Sequence, residues 1–177
     1  MKKILTLALT LFTLFTFTHA ANEDTSLIEM TMTDIAGNSY EVTGTTQGFK
    51  IKGLENKIVF LEFFGHKCPP CLASIPHMIA LQEKYKENLA IVSIEVQGYN
   101  QEQLKQFADE KKMNYIVASE EQAGEFVNYI QQRAQWQGGI PFLVAADTQG
   151  NVQFVEAGFI PEASLEELIA QLTGTKK

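Results

Sequence analysis

Cys68-Pro69-Pro70-Cys71 carries the most chemistry per residue in this chain, and these two cysteines are all it has. They stand three apart, where a run of β-branched and aromatic residues ends and a helical pattern opens. In the first turn of a helix, positions i and i+3 face the same side, so two sulfurs so placed can meet and bond. That turn also presents unsatisfied N–H groups and the positive end of the helix dipole. Both favour a thiolate at Cys68, and the thiolate is the attacking species in disulfide exchange. Cys71, one turn inward, is more shielded. The spacing therefore predicts Cys68 as nucleophile and Cys71 as resolving thiol. Proline suits a first helical turn but has no N–H, so the nearest donor to the Cys68 sulfur is expected at Cys71. Lys67 sets a cation beside Cys68 and works against that loss. A purely structural disulfide is the competing reading, but so short a loop removes little chain entropy. The pair reads as a redox-active disulfide that needs no further cofactor.

Glu62 is the second candidate. It lies six residues before Cys68, in the otherwise apolar run Ile58–Phe64. A buried carboxylate has a raised pKa and can exchange protons near neutral pH. The functional reading is a general base for Cys71 when that thiol attacks a mixed disulfide. The other reading is a strand-end glutamate that reaches solvent or a salt bridge. His66 could approach the cysteines from its loop, whereas His77 falls six residues after Cys71 and points elsewhere. That set is poor for zinc, and no metal site is expected; two soft thiolates could still hold Cu(I). Trp136 and Phe142 read as loop packing. No glycine-rich phosphate loop and no serine nucleophile motif is present.

The elements that must position these residues follow from periodicity. Ile58–Phe64 and Leu89–Val96 read as strands buried on both faces. Pro69–Asn88 between them reads as a helix with Leu72, Ile75, Ile79 and Leu81 as its apolar stripe. Strand, helix and strand form a parallel βαβ unit. Upstream, residues 27–33 and the alternation at Tyr40 and Val42 flank a Gly37-Asn38 turn and form a hairpin. Thr43–Asn56 reads as loop or weak strand. Downstream come a helix over Gln101–Met113, a short strand over Asn114–Ala118 and a helix from an N-cap at Ser119 to about Ala134. Strands Pro141–Ala146 and Val152–Ala157 flank the turn Asp147–Asn151, and a helix over Pro161–Leu172 closes the chain.

The 177 residues favour one domain, and 45% hydrophobic with 20% charged content fits a globular chain. The net charge of −7 gives no electrostatic footprint for nucleic acid. Lys2 and Lys3, the uncharged stretch Ile4–Thr18 and the small residues Thr18 and Ala20 lay out a secretory signal peptide over 1–20, with 21–177 as the mature domain. An uncleaved anchor is the alternative. No cysteine sits near the junction, so no lipid anchor is expected. Export places both cysteines in an oxidising compartment, and the leader's style points to the periplasm.

With its βαβ context, Cys68-Pro69-Pro70-Cys71 resembles the thioredoxin superfamily. Pro76 sits where that superfamily kinks this helix. Ile140-Pro141, after Gly138-Gly139 and before a strand, is similar to its cis-proline loop. The resemblance covers roughly 27–172. It implies an α/β thioredoxin-like fold, a central mixed sheet flanked by helices, with an N-terminal β-hairpin extension over 27–57. It also implies that the backbone at Ile140 and Pro141 pairs with a substrate strand facing the nucleophile. The hairpin with Met32–Gly37 and the exported address resemble the TlpA/ResA-like branch of thiol–disulfide oxidoreductases. That branch implies protein thiols and disulfides as partners, a membrane or periplasmic thiol donor, and a reducing role such as cytochrome c maturation. Oxidation or isomerisation of secreted proteins, or Cu(I) carriage, are the alternatives. Two positions depart from the pattern. Lys67 stands where the family commonly has Trp, which makes the docking surface more basic. Glu62 stands where thioredoxins carry a buried Asp and many TlpA-like proteins an Asn.

Overall fold

A computed structural model describes residues 27–174. The leader expected over 1–20 lies outside the described residues. The elements run β1 (Ile28–Thr33), β2 (Ser39–Gly44), β3 (Phe49–Ile51), β4 (Ile58–Phe64), α1 (Pro69–Lys84), β5 (Leu89–Glu95), α2 (Gln101–Lys111), β6 (Ile116–Ser119), α3 (Glu120–Arg133), β7 (Phe142–Ala146), β8 (Val152–Ala157) and α4 (Glu162–Leu172). Five strands form a mixed sheet in the order β6-β5-β4-β7-β8, with β4, β5 and β6 parallel and β7 antiparallel to β4. This is the thioredoxin-like α/β arrangement, with helices on both faces of the central sheet.

Alternation along β4 explains what each face holds. Val59, Leu61 and Phe63 join Val92, Ile94, Phe126 and Ile130 in the core under α3 and the small N-terminal sheet. Ile58 and Phe60 join Leu81, Ile91, Leu165 and Ile169 in the core under α1 and α4. Glu62 has the parity of Ile58 and Phe60, so it points to the α1 side. Every residue of β4 and of β5 is buried, as their near-continuous apolar runs require.

Three expectations are sharpened or corrected. The N-terminal extension is a three-stranded antiparallel sheet, β1-β2-β3: the expected hairpin is followed by a short strand, the second of the two readings, loop or weak strand, given for 43–56. The stretch 43–56 yields a strand because its backbone meets the β7–β8 turn. Gln47 O accepts from Val152 N and Phe49 N donates to Gly150 O, both at 2.9 Å. Glycine is required at this junction: a Cβ at Gly48 would stand 2.2 Å from the Gly150 carbonyl oxygen. Second, α1 ends at Lys84, short of Asn88. Tyr85 O accepts from both Asn88 N and Leu89 N at 2.8 Å, a tight turn that feeds β5. Third, the buried stripe of α1 is Cys71, Ser74, Ile75, Met78 and Leu81, with Leu72 and Ile79 only half-buried. The helix is rotated so that its polar Ser74 faces the sheet at Glu62.

The β1–β2 turn is fixed by Asp34, whose Oδ1 accepts from Ala36 N at 2.9 Å and Asn38 N at 2.8 Å. Ile35 N donates to Val117 O at 2.9 Å, which joins the small sheet to β6.

Candidate active site

Cys68 is the N-cap of α1, with Pro69 and Pro70 filling the first two helical positions. Their fixed φ continues the helix, and their missing N–H groups leave Cys71 N as the first donor. It reaches Cys68 Sγ at 3.3 Å, as the sequence predicts. The sulfurs are bonded, with Cα atoms 5.2 Å apart. Cys71 is fully buried and Cys68 is 7% exposed, so Cys68 is the sulfur nearer solvent. Pro76 lies inside α1 on an exposed face.

Opposite the pair, the Ile140–Pro141 peptide is cis. Ile140 O lies 3.8 Å from Cys68 Sγ. Aromatic packing holds this loop. Trp136 stacks on Phe63 at 4.6 Å and donates Nε1–H to Gly139 O at 2.7 Å. Phe142 stacks against the same two rings. Gly158 N donates to Pro141 O at 2.7 Å, which fastens the loop to β8.

Glu62 is 2% exposed, and its partners are two hydroxyls: Ser74 Oγ at 2.9 Å and Ser93 Oγ at 2.8 Å. No ion pair among the described residues includes it, so the strand-end alternative, with solvent or a salt bridge at the carboxylate, does not describe its surroundings. Burial pushes its carboxyl above the usual range, and the two hydroxyls oppose that shift in part. The Tyr115 hydroxyl is buried nearby, and burial and the Glu62 charge raise its pKa as well. A cavity of about 10 Å³ runs from Glu62 and Ser74 to Pro141 and Gly158.

The remaining candidates separate. Lys67 is exposed, and its backbone N–H donates to Gln97 Oε1 at 2.8 Å. His66 turns to Glu95, with Nδ1 2.7 Å from Oε1, and stacks on Tyr99 with ring centroids 3.5 Å apart. His77 packs against Phe159. Among the described residues no cluster of three or more His, Cys, Asp and Glu has metal-binding geometry.

Sequence reasoning passed over Ser74, Ser93 and Glu95. The signal for Glu95 was the one used for Glu62, a carboxylate in the apolar run Leu89–Val96. Ser93 is the register partner of Glu62 across β4 and β5, a relation visible only once the strands are paired.

A thioredoxin-like sheet with a Cys-x-x-Cys pair at the N-terminus of α1, facing a cis-proline loop, defines a thiol–disulfide oxidoreductase. The chain belongs to the AhpC/TSA family, whose model matches residues 28–155. It is 26% identical over 145 residues to the thiol-disulfide oxidoreductase ResA of Halalkalibacterium halodurans, covering 80% of this chain and 72% of that protein. It is 24% identical over 132 residues to the protein DipZ of Mycobacterium tuberculosis, covering 72% of this chain but only 18% of DipZ. In fold it is similar to a thioredoxin family thiol:disulfide interchange protein from Chlorobium tepidum TLS, with TM-score 0.66 and 21% identity, covering 81% of this chain and 92% of that one.

Proposed function

We propose that the protein is an exported, periplasmic reductant of protein disulfides, with residues 21–177 as the working domain behind a cleaved leader. The observation that carries this reading is the Cys68–Cys71 disulfide beside the Ile140 carbonyl. In the reduced protein, the Cys68 thiolate attacks a substrate disulfide held along Ile140 and Pro141. One substrate sulfur leaves as thiolate and a mixed disulfide forms. Glu62, as carboxylate, takes the proton of Cys71. The Cys71 thiolate then attacks Cys68 Sγ and the second substrate sulfur leaves. Two electrons have passed to the substrate, and the protein holds the disulfide described above. A thiol donor in the same compartment, membrane-bound or soluble, reverses the pair.

Three features support a protein substrate. Cys68, at 7% exposure, is the sulfur nearer solvent and lies beside the Ile140 backbone. A groove of about 520 Å³ lies elsewhere, between Lys50, Lys52 and Asp147, and includes neither cysteine. Lys67 gives the docking face an exposed cation. The name of the ResA relative supports thiol–disulfide exchange; the reducing direction and apocytochrome c as a substrate are what the resemblance to the TlpA/ResA-like branch implies.

The reduction potential of the pair tests the direction. A value near about −270 mV is expected for a reductant, and one near about −120 mV would make the protein an oxidant. Insulin reduction lost in Cys68→Ser is expected of the enzyme; stoichiometric Cu(I) retention without turnover would instead make it a carrier.

A further inference from the structure

Glu95 is a second fully buried carboxylate, and the exchange chemistry above does not use it. It ends β5, alongside Phe64 at the end of β4. Its Oε1 accepts from Gln97 N at 3.0 Å and its Oε2 from Tyr99 N at 2.9 Å. A carboxylate already accepting two amide protons makes His66, 2.7 Å away, the third donor, which assigns the imidazole proton to Nδ1. The residues Glu95 organises then grip the segment that leads into Cys68. Tyr99 stacks on His66, and Gln97 Oε1 accepts from Lys67 N. Gln97 also lies so close over Gly65 that a Cβ there would meet its Cδ at 2.3 Å. His66 and Lys67 are thus bonded from the end of β5 and from the loop after it, Gln97 lies over Gly65, and Glu95 is the common anchor.

We infer that Glu95 is a positioning residue for Cys68: through His66, Gln97 and Tyr99 it fixes residues 65–67 and so sets how favourably Cys68 closes a disulfide with Cys71. Cys71 is fixed independently, buried in α1. A thiol held beside its partner has a higher effective concentration than one on a loose segment, and that favours the disulfide over the dithiol. Loosening 65–67 shifts the pair toward the dithiol, a less negative potential. This inference rests on the dithiol–disulfide reading above.

The test is the reduction potential of the full-length mature protein and its variants, equilibrated in glutathione redox buffers and quantified by thiol alkylation and mass. In Glu95→Gln, one carboxylate oxygen becomes an NH₂ group that faces donors. In His66→Ala the third donor is lost. Each is expected to lower the effective concentration about tenfold, which moves the potential up by about 30 mV. His66→Asn places an N–H at the same distance from the backbone as Nδ1, and is expected to stay within about twofold of the parent protein. If Glu95→Gln does not fold, the two His66 variants decide. Effective concentrations in Glu95→Gln and His66→Ala within about twofold of the parent, with lowered Tm, would leave Glu95 a fold-stabilising residue and overturn the inference. So would a His66→Asn shift equal to that of His66→Ala. A parent protein with no reversible dithiol–disulfide equilibrium would instead overturn the proposed function, so the two failures are distinguishable.

Discussion

The hydroxyl of Ser74 donates to the carboxylate of Glu62 across 2.9 Å, joining α1 to β4. The same oxygen lies 2.8 Å from the Cys71 carbonyl. Ser74 is one turn beyond Cys71 on the buried face of α1. Ser74 thus links the Glu62 carboxylate to the backbone of Cys71, and in the proposed exchange that carboxylate takes the Cys71 proton. Burial keeps the carboxyl weakly acidic, which matches it to a thiol better than a solvated glutamate would be.

Glu62→Gln should slow the step in which Cys71 resolves a mixed disulfide by on the order of 10²-fold near neutral pH. The attack of Cys68 should be little changed. Stopped-flow measurement of mixed-disulfide decay across pH checks this. A parent-like rate and pH profile would remove Glu62 from the proton transfer.

The same variant should be the more stable protein at neutral pH. The folded-state pKa of Glu62 lies above its ordinary value near 4.5. In the window between those two pKa values the native state holds more protons than the unfolded chain, so stability falls as pH rises through it. Below pH 4.5 the charge is absent in both states and no penalty remains. Thermal melts should show Glu62→Gln above the parent protein at pH 8, by about 2–4 °C per kcal/mol recovered in a domain of this size. The difference should vanish toward pH 4.

Trp136 should matter to stability in two separable parts. It is 7% exposed, stacked on Phe63 and bonded to Gly139 O. Trp136→Ala should cost about 3–5 kcal/mol. Trp136→Phe keeps the stack and loses one hydrogen bond, about 1 kcal/mol. Chemical denaturation of both variants gives the comparison.

Much of this arrangement was legible in the residues because the signals were local. The run Ile58–Phe64, the prolines after Cys68 and the N-cap at Ser119 each specify their own conformation, and each appears in place. Cys71 N as the first donor to Cys68 followed from proline chemistry alone. The third strand of the small sheet was only half legible, as loop or weak strand over 43–56, because Phe49–Ile51 is strand only through its pairing with β2 and its backbone bonds to 150–152. The stripe of α1 was misread because counting apolar residues favours Leu72 and Ile79, while the helix instead buries Ser74 against Glu62. Glu95 was missed for a related reason. A strand-end carboxylate looks solvated until the loop that follows it folds back over the strand.

Gly65 and Gln97 should behave as a coupled pair. Gly65→Ala pushes the Gln97 side chain aside and breaks its bond to Lys67 N, a loss of about 1 kcal/mol. Gln97→Ala loses the same bond without the clash. A double-mutant cycle by urea denaturation should show the two changes to be less than additive. Full additivity would mean that the contact carries no energy.

The most direct test of the exchange mechanism is to stop it halfway. Reduced Cys71→Ser, mixed with insulin, should accumulate a disulfide-linked adduct through Cys68, identified by peptide mass. Reduced Cys68→Ser should form essentially none. An adduct through Cys71 in Cys68→Ser, with none in Cys71→Ser, would contradict the assignment of Cys68 as the attacking thiolate.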